Sequence, residues 1–448
     1  MLVGVGSWFL LDVEPAYPNE WDARVTDLVT FVENERELDF EHPVHIDFLT
    51  PEEYSAAARS DEAELTDEDR EELEDAEALM RALGLVSDDV DLFDASNDLS
   101  DSGTLAYYDD TTGRITVRGT EMTVDLQATL VHELTHALQD QHFDLGRLRD
   151  FTTTGESAAF RAVVEGDASL VEDHYVGSLD AADLAEYEAS IDEQLEAAPY
   201  DGIPSFLTAS FSAPYALGTP LVGIVQADGG WDAVNDMLET PPTTEVELLD
   251  PLVYLDGITV RDVDLPEPAE GVEVIEESDF GAITLYLMLA TRMDALDAFD
   301  AADSWGGDAY RTERDDGVLC TTIATEAVDD ESADTLEDAL STWAEGTDAT
   351  VEREAELVVL RSCDPGAEDL ADPVTDPFDA LALPATRSYV ILGTVLQEDA
   401  SPDEGACVAD TVIAQVPLDV LSNPDPSDDE LDQLFAVMES AGPKCVAA

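Results

Sequence analysis

"LVHELTHALQDQHFDL", residues 130–145, holds His132, His136 and His142, half of the chain's six histidines. Leu126, Leu130, Leu134 and Leu138 recur every fourth position, which predicts a helix with one buried face. His132, Glu133 and His136 spell H-E-x-x-H. On a helix, positions four apart differ by about 40°, so both imidazoles project from one face toward a single ion. Glu133, beside the first histidine, is placed to take a proton from a water in the open position of a zinc ion and pass it to a leaving amine. The plainer reading is a helix whose histidines merely cap its polar face. In a chain that can solvate any surface with Asp or Glu, scarce histidines gathered at this spacing argue for the metal.

A catalytic zinc needs a third protein ligand. His142 stands six residues beyond His136, the metzincin spacing H-E-x-x-H-x-x-G-x-x-H, but Gln139 occupies the place of the turning glycine. If the helix simply continues, His142 points about 120° away from the metal face. Glu165 in "AVVEGDAS" competes with it. That glutamate follows the apolar run Ala162, Val163, Val164 and precedes Gly166, where a backbone can approach closely. A carboxylate there, on a second helix packed against the first, completes a His-His-Glu site; Asp167 and Glu172 are nearby substitutes.

The 448-residue chain carries 105 Asp and Glu against 18 Lys and Arg, a formal charge of −87. Self-repulsion of that size opposes compaction, yet 44% of the residues are apolar and fall in periodic runs. The conflict resolves in concentrated salt, where the Debye length shrinks to about 3 Å. Only Lys444 is a lysine; the other cations are arginines. This surface resembles that of halophilic archaeal proteins. No basic stripe exists to meet phosphate, which excludes nucleic acid as a partner. Cys320, Cys363, Cys407 and Cys445 lack C-x-x-C spacing, and their even number suggests the disulfides Cys320–Cys363 and Cys407–Cys445 and an oxidising compartment. Four buried thiols are the other reading.

Along the chain, residues 1–19 include "MLVGVGSWFLL", an apolar run read as the remnant of an export signal or membrane anchor, with an ordinary buried segment as the alternative. "ARVTDLVTFVENEREL" is helical by spacing, "HPVHIDFLT" a strand, and "TLAYYDDTTGRITVRGT" a hairpin. Helical patterns cover 156–195 and 279–301, with a looser region between them that includes "PSFLTASFSAPYALGTPLVGIVQADGGWDAV". A strand–helix–strand unit runs from about 316 to 363. An Asp- and Pro-rich linker follows, then a tail with one strand-like run and a helical cysteine module.

"TLVHELTHALQDQHFDL", "EGDA", "PYALG", "GGW", "PPTTE" and "WGGD" together resemble a group of predicted zinc peptidases of actinobacteria and haloarchaea with a gluzincin-type site. The resemblance spans roughly residues 20–310 and is most specific around 104–175. It implies zinc held by His132, His136 and Glu165, with Glu133 as the base and Asp167 orienting a histidine from behind. Tyr215 in "PYALG" is the candidate for the oxyanion-stabilising group. Asp250 stands where relatives carry a histidine. The expected fold is α+β: a zincin-like metalloprotease domain (20–301) with a small antiparallel or mixed sheet and an active-site helix, an associated α/β unit (302–365), a linker (366–386) and a small helical disulfide module (387–448). The expected activity is hydrolysis of peptide or protein substrates, which would enter along the 114–120 strand edge, outside the cell or at its surface. The alternatives are a non-catalytic surface or binding protein stapled by a metal with four protein ligands, His142 or Asp167 being the fourth, and a metal-dependent hydrolase of a non-peptide amide.

The charge generates a prediction. The melting temperature should fall steeply as sodium chloride drops from molar to 0.1 M, and acidification toward carboxylate pKa values should partly restore it. A melting temperature indifferent to salt, followed by circular dichroism, refutes the halophilic reading.

Overall fold

The histidine motif lies on one helix, Val124–Phe143, at the centre of an α+β fold. This computed structural model describes residues 17–86, 90–102, 105–196, 202–257, 259–268, 271–366, 373–398, 400–423 and 426–445. Most of the apolar segment assigned to 1–19 therefore lies outside the described residues, as does the middle of the linker. Leu126, Leu130, Leu134 and Leu138 are buried as their spacing predicts. The whole run from Leu130 to Gln139 is buried with them, because neighbours close around the motif helix. They are the first helix (Thr26–Arg36), the strand Ala106–Asp109 and the helices Thr154–Ser178 and Ala181–Glu196.

The hairpin comprises β2 (Ala106–Asp109) and β3 (Arg114–Arg118). Its turn is set locally: Asp109 accepts from the Thr111 amide and the Thr112 hydroxyl, and Gly113 supplies the positive φ of 62°. Strand β1 (His45–Leu49) then adds in parallel to β3, giving a three-stranded mixed sheet of order β1-β3-β2. Asp47 and Arg114 form a two-pronged ion pair across the β1–β3 seam. This corrects the expected substrate edge. Residues 114–118 are the middle strand with both sides paired, and the strand beside the motif helix is β2.

The second sheet is antiparallel, of order β4-β5-β6-β8-β7. Its strands are β4 (Glu273–Ser278), β5 (Trp305–Asp315), β6 (Val318–Ala327), β7 (Thr350–Glu354) and β8 (Leu357–Cys363). Helix Asp330–Ala344 packs on it through Ala333, Leu336, Leu340 and Trp343, the spacing of one apolar face. The expected strand–helix–strand unit is present with one more strand, β7, than its sequence showed. Cys320 and Cys363 face each other in register between β6 and β8 and form one disulfide; Cys407–Cys445 is the other. Each bridge closes about forty residues, which constrains the unfolded chain by roughly 4 kcal/mol in the loop-entropy picture.

Two stretches differ from their sequence reading. The looser region is the helix Ser205–Glu239, kinked only at Gly230 and containing Pro214 and Pro220. It is apolar nearly all round, as a helix enclosed by others should be, and this environment outweighs the two prolines. The strand-like run of the tail belongs to helix Pro377–Glu398, which starts inside the expected linker. Its β-branched residues Val390, Ile391 and Thr394 are buried between Ser205–Glu239 on one side and Pro402–Gln415 on the other. Burial on two sides erased the helical period. Among the described residues, no helix is long and apolar enough to cross a membrane.

Helices Thr154–Ser178 and Ser205–Glu239 touch backbone to backbone. A Cβ on Gly166 would overlap the backbone of Gly218, and one on Gly218 would overlap the carbonyl of Ala162. An interior Gly→Ala change normally stabilises a helix by up to about 1 kcal/mol. Here Gly218→Ala should destabilise by about 1–3 kcal/mol through overpacking. Gly177→Ala, where nothing beyond the helix's own adjacent backbone lies within 4 Å of the new methyl, should be neutral or stabilising. Urea unfolding of the two variants checks the opposite signs.

Candidate metal centre

His132 and His136 face Glu165 across the groove between the motif helix and helix Thr154–Ser178. Their Nε2 atoms are 3.0 Å apart, and Glu165 Oε2 lies 3.3 Å from the first and 3.2 Å from the second. A tetrahedral ion with bonds of about 2.0–2.1 Å separates its donors by about 3.3 Å, so the three atoms already outline one face of such a site. His132 and His136 are buried and Glu165 nearly so; the group can hold a metal ion. Burial opposes charge on both imidazoles, but the surrounding carboxylates together outweigh it and raise both pKa values, Glu165 with Glu172 and Glu133 at His132 and Glu165 with Glu133 at His136. Burial likewise opposes the Glu165 carboxylate, which the two rings nevertheless hold far below its ordinary range. Metal binding needs both imidazoles neutral, so a cation would compete with protons for these groups.

Behind His136 runs a chain of buried polar contacts. Gln139 Nε2 donates to Asp167 Oδ2 at 2.8 Å and to the Val164 carbonyl at 3.0 Å. The Gln139 carbonyl oxygen must therefore face His136 Nδ1, 2.9 Å away. That oxygen can only accept, so Nδ1 carries the proton and the Nε2 lone pair is left for a metal. Asp167 pairs with Arg36 Nε at 2.9 Å; both side chains are almost fully enclosed. Arg36 also donates to Asn235 and lies over the ring of Trp231. Asp167 thus supports His136 through Gln139 rather than directly. Glu172 Oε2 stands 3.2 Å from His132 Nδ1 and backs the other ring.

Glu133 is buried beside the two histidines, and Tyr108 of β2 holds it: the Tyr108 amide donates to Oε2 at 2.7 Å. Two turns further along the same helix, the Tyr108 hydroxyl donates to Asp140 at 2.7 Å. Burial lifts the Glu133 carboxyl above its usual range, with His136 and His132 pulling it back. Tyr215 is half-buried over the site. Its ring stacks 6.1 Å from that of His132 and its hydroxyl hydrogen-bonds Glu165.

The remaining candidates lie elsewhere. His142 is exposed and donates to the Asp39 carbonyl, away from the metal group, because the helix continues straight through Gln139. Asp250 caps helix Pro251–Asp256 and pairs with Arg387 of helix Pro377–Glu398, a structural role. Sequence reasoning missed Tyr108, Glu172's partnership and Arg36. The first had a signal, an aromatic in the strand just before the motif. Arg36 had none, being more than a hundred residues from Asp167.

If Glu165 completes the donor set, Glu165→Ala should lose bound metal far more than His142→Ala does. Gln139→Leu should weaken metal binding about 10–100-fold while keeping all three ligands. Competition with a fluorescent chelator ranks the three; equal affinities for Glu165→Ala and His142→Ala would reject the assignment.

Comparison with protein-family models, curated proteins and solved structures returns no match for this chain. Geometry and residue chemistry carry the functional argument.

Proposed function

We propose that the chain is a zinc-dependent peptidase with a gluzincin-type site in a zincin-like domain. The observation that carries this reading is the convergence of His132 Nε2, His136 Nε2 and Glu165 Oε2 within 3.3 Å, with a fixed, buried Glu133 beside them. Two nitrogens and one carboxylate oxygen suit zinc. His142 and Asp167, the two candidates for a fourth ligand, are engaged by Asp39 and by Arg36 with Gln139, which favours a catalytic site over a closed staple.

Zinc bound there supplies a Lewis acid and brings the pKa of a water to about 7. The chain's own groups do the rest. Tyr108 ties down Glu133 Oε2, so Oε1 is the atom left to take the proton of the attacking water and to return it to the leaving amine. A carboxyl lifted by burial suits that exchange near neutral pH. The Tyr215 hydroxyl, over the site, donates to the carbonyl oxygen as negative charge develops on it. β2 is the sheet edge nearest Glu133, and an extended peptide would run beside it. Two disulfides favour an oxidising, extracellular setting, and the acidic, lysine-poor surface favours high salt.

Glu133→Gln should keep the fold and one zinc per chain, since it removes the base and leaves the ligands. Hydrolysis of a fluorogenic peptide library in molar salt should fall by about 10²–10⁴-fold or more. Undiminished turnover in the zinc-loaded variant would overturn the mechanism.

A further inference from the structure

We infer that Arg161 makes this site select peptides bearing a carboxylate close to the bond that is cut. The inference rests on the peptidase reading and names its substrate class. Arg161 lies on helix Thr154–Ser178, four residues before Glu165, so the two side chains share one helix face about 40° apart. Glu165 turns into the metal group from that face. Arg161 is exposed one turn away, at the rim of the site. Ala162, the next residue along, meets Gly218 on the helix that carries Tyr215 one turn earlier, so Arg161 and Tyr215 border the same helix crossing.

What marks Arg161 out is that, among the described residues, none pairs with it. The chain has 105 acids to 18 cations, so an exposed arginine has every chance of finding a carboxylate. Nearly all do, from Arg24 with Asp22 to Arg387 with Asp250 and Asp410. Arg147 instead donates to the carbonyls of Leu238 and Glu239, and Arg292 lies over Trp343. Among the described residues, Arg161 alone of the arginines has no ion pair, hydrogen bond or ring contact. A guanidinium presents a planar fork of donors that matches a carboxylate with two parallel hydrogen bonds. In molar salt long-range attraction is screened within about 3 Å, so such a group discriminates by direct contact and not by steering. The carboxylate could belong to an Asp or Glu side chain or to the substrate's own C-terminus.

Three labelled peptides of equal length separate these sources. One has an internal glutamate and an amidated end, one is neutral with a free C-terminal carboxylate, and one is neutral and amidated. Binding is measured by fluorescence anisotropy on zinc-loaded Glu133→Gln protein in molar potassium chloride, with and without Arg161→Gln. Cleavage is measured in parallel on the protein with Glu133 intact. The preference for one of the carboxylate peptides over the neutral amide should fall at least tenfold in Arg161→Gln and return in part with Arg161→Lys. A preference that is absent, or unchanged by Arg161→Gln, overturns the inference even if peptides are hydrolysed. Arg161-dependent binding without hydrolysis sustains carboxylate recognition by Arg161 and removes the peptidase reading instead.

Discussion

Contact between two helix backbones at Gly166 and Gly218 is the constraint on which the site depends. Helices ordinarily pack with axes about 8–10 Å apart, held off by side chains. Here neither partner has one at the crossing, and Ala162 and Thr219 complete a surface of small groups. Glu165 sits immediately before the contact on one helix, and Tyr215 lies one turn before it on the other. A wider crossing would draw the Tyr215 ring off His132 and its hydroxyl off Glu165. Glycine in a helix interior costs about 0.5–1 kcal/mol each, and the close approach it permits is what brings the Tyr215 hydroxyl to Glu165.

The ligand helix is also fixed at its start. Asp279, just beyond β4, accepts from the Thr154 and Gly155 amides, so the edge of the larger sheet holds the N-terminus of the helix that carries Glu165. The C-terminal helices act from the opposite side. Leu392 lies against Gly223, and Ile224 packs with Val408 and Val412 of the disulfide-bonded module. Parts of the chain that contribute no ligand therefore determine where the ligands stand.

Much of the centre was legible in the sequence, for specific reasons. H-E-x-x-H announces two candidate ligands because helical periodicity alone brings them together. Glu165 could be picked from many acids because it interrupts an apolar run beside a glycine, a poor place for a solvated carboxylate. The disulfide partners followed from an even number of cysteines and their order. The helix Ser205–Glu239 was hidden by Pro214, Gly218 and Pro220, residues that usually punctuate loops, and its uniform apolarity left no period to read. Pro377–Glu398 was hidden likewise by burial on two sides. Arg36 and Asp167 meet only through the fold, and no local pattern announces a buried pair between residues so distant in the chain.

That buried pair has a bearing on how the protein can be divided. The three side chains that could hold a metal, together with Glu133, Tyr108 and Tyr215, fall between residues 105 and 240, a length that could be taken for a self-sufficient unit. A fragment cut there would leave Asp167 enclosed without its arginine, and stranding a buried charge typically costs about 3–5 kcal/mol, a large share of the stability of a domain. The first helix contains no residue with chemistry of its own, yet it supplies the counterion for the layer behind His136. The H-E-x-x-H motif is thus not transplantable with its neighbours in sequence alone. An ancestor or a designed relative that kept the ligands but shed the N-terminal helix would need a neutral residue at position 167.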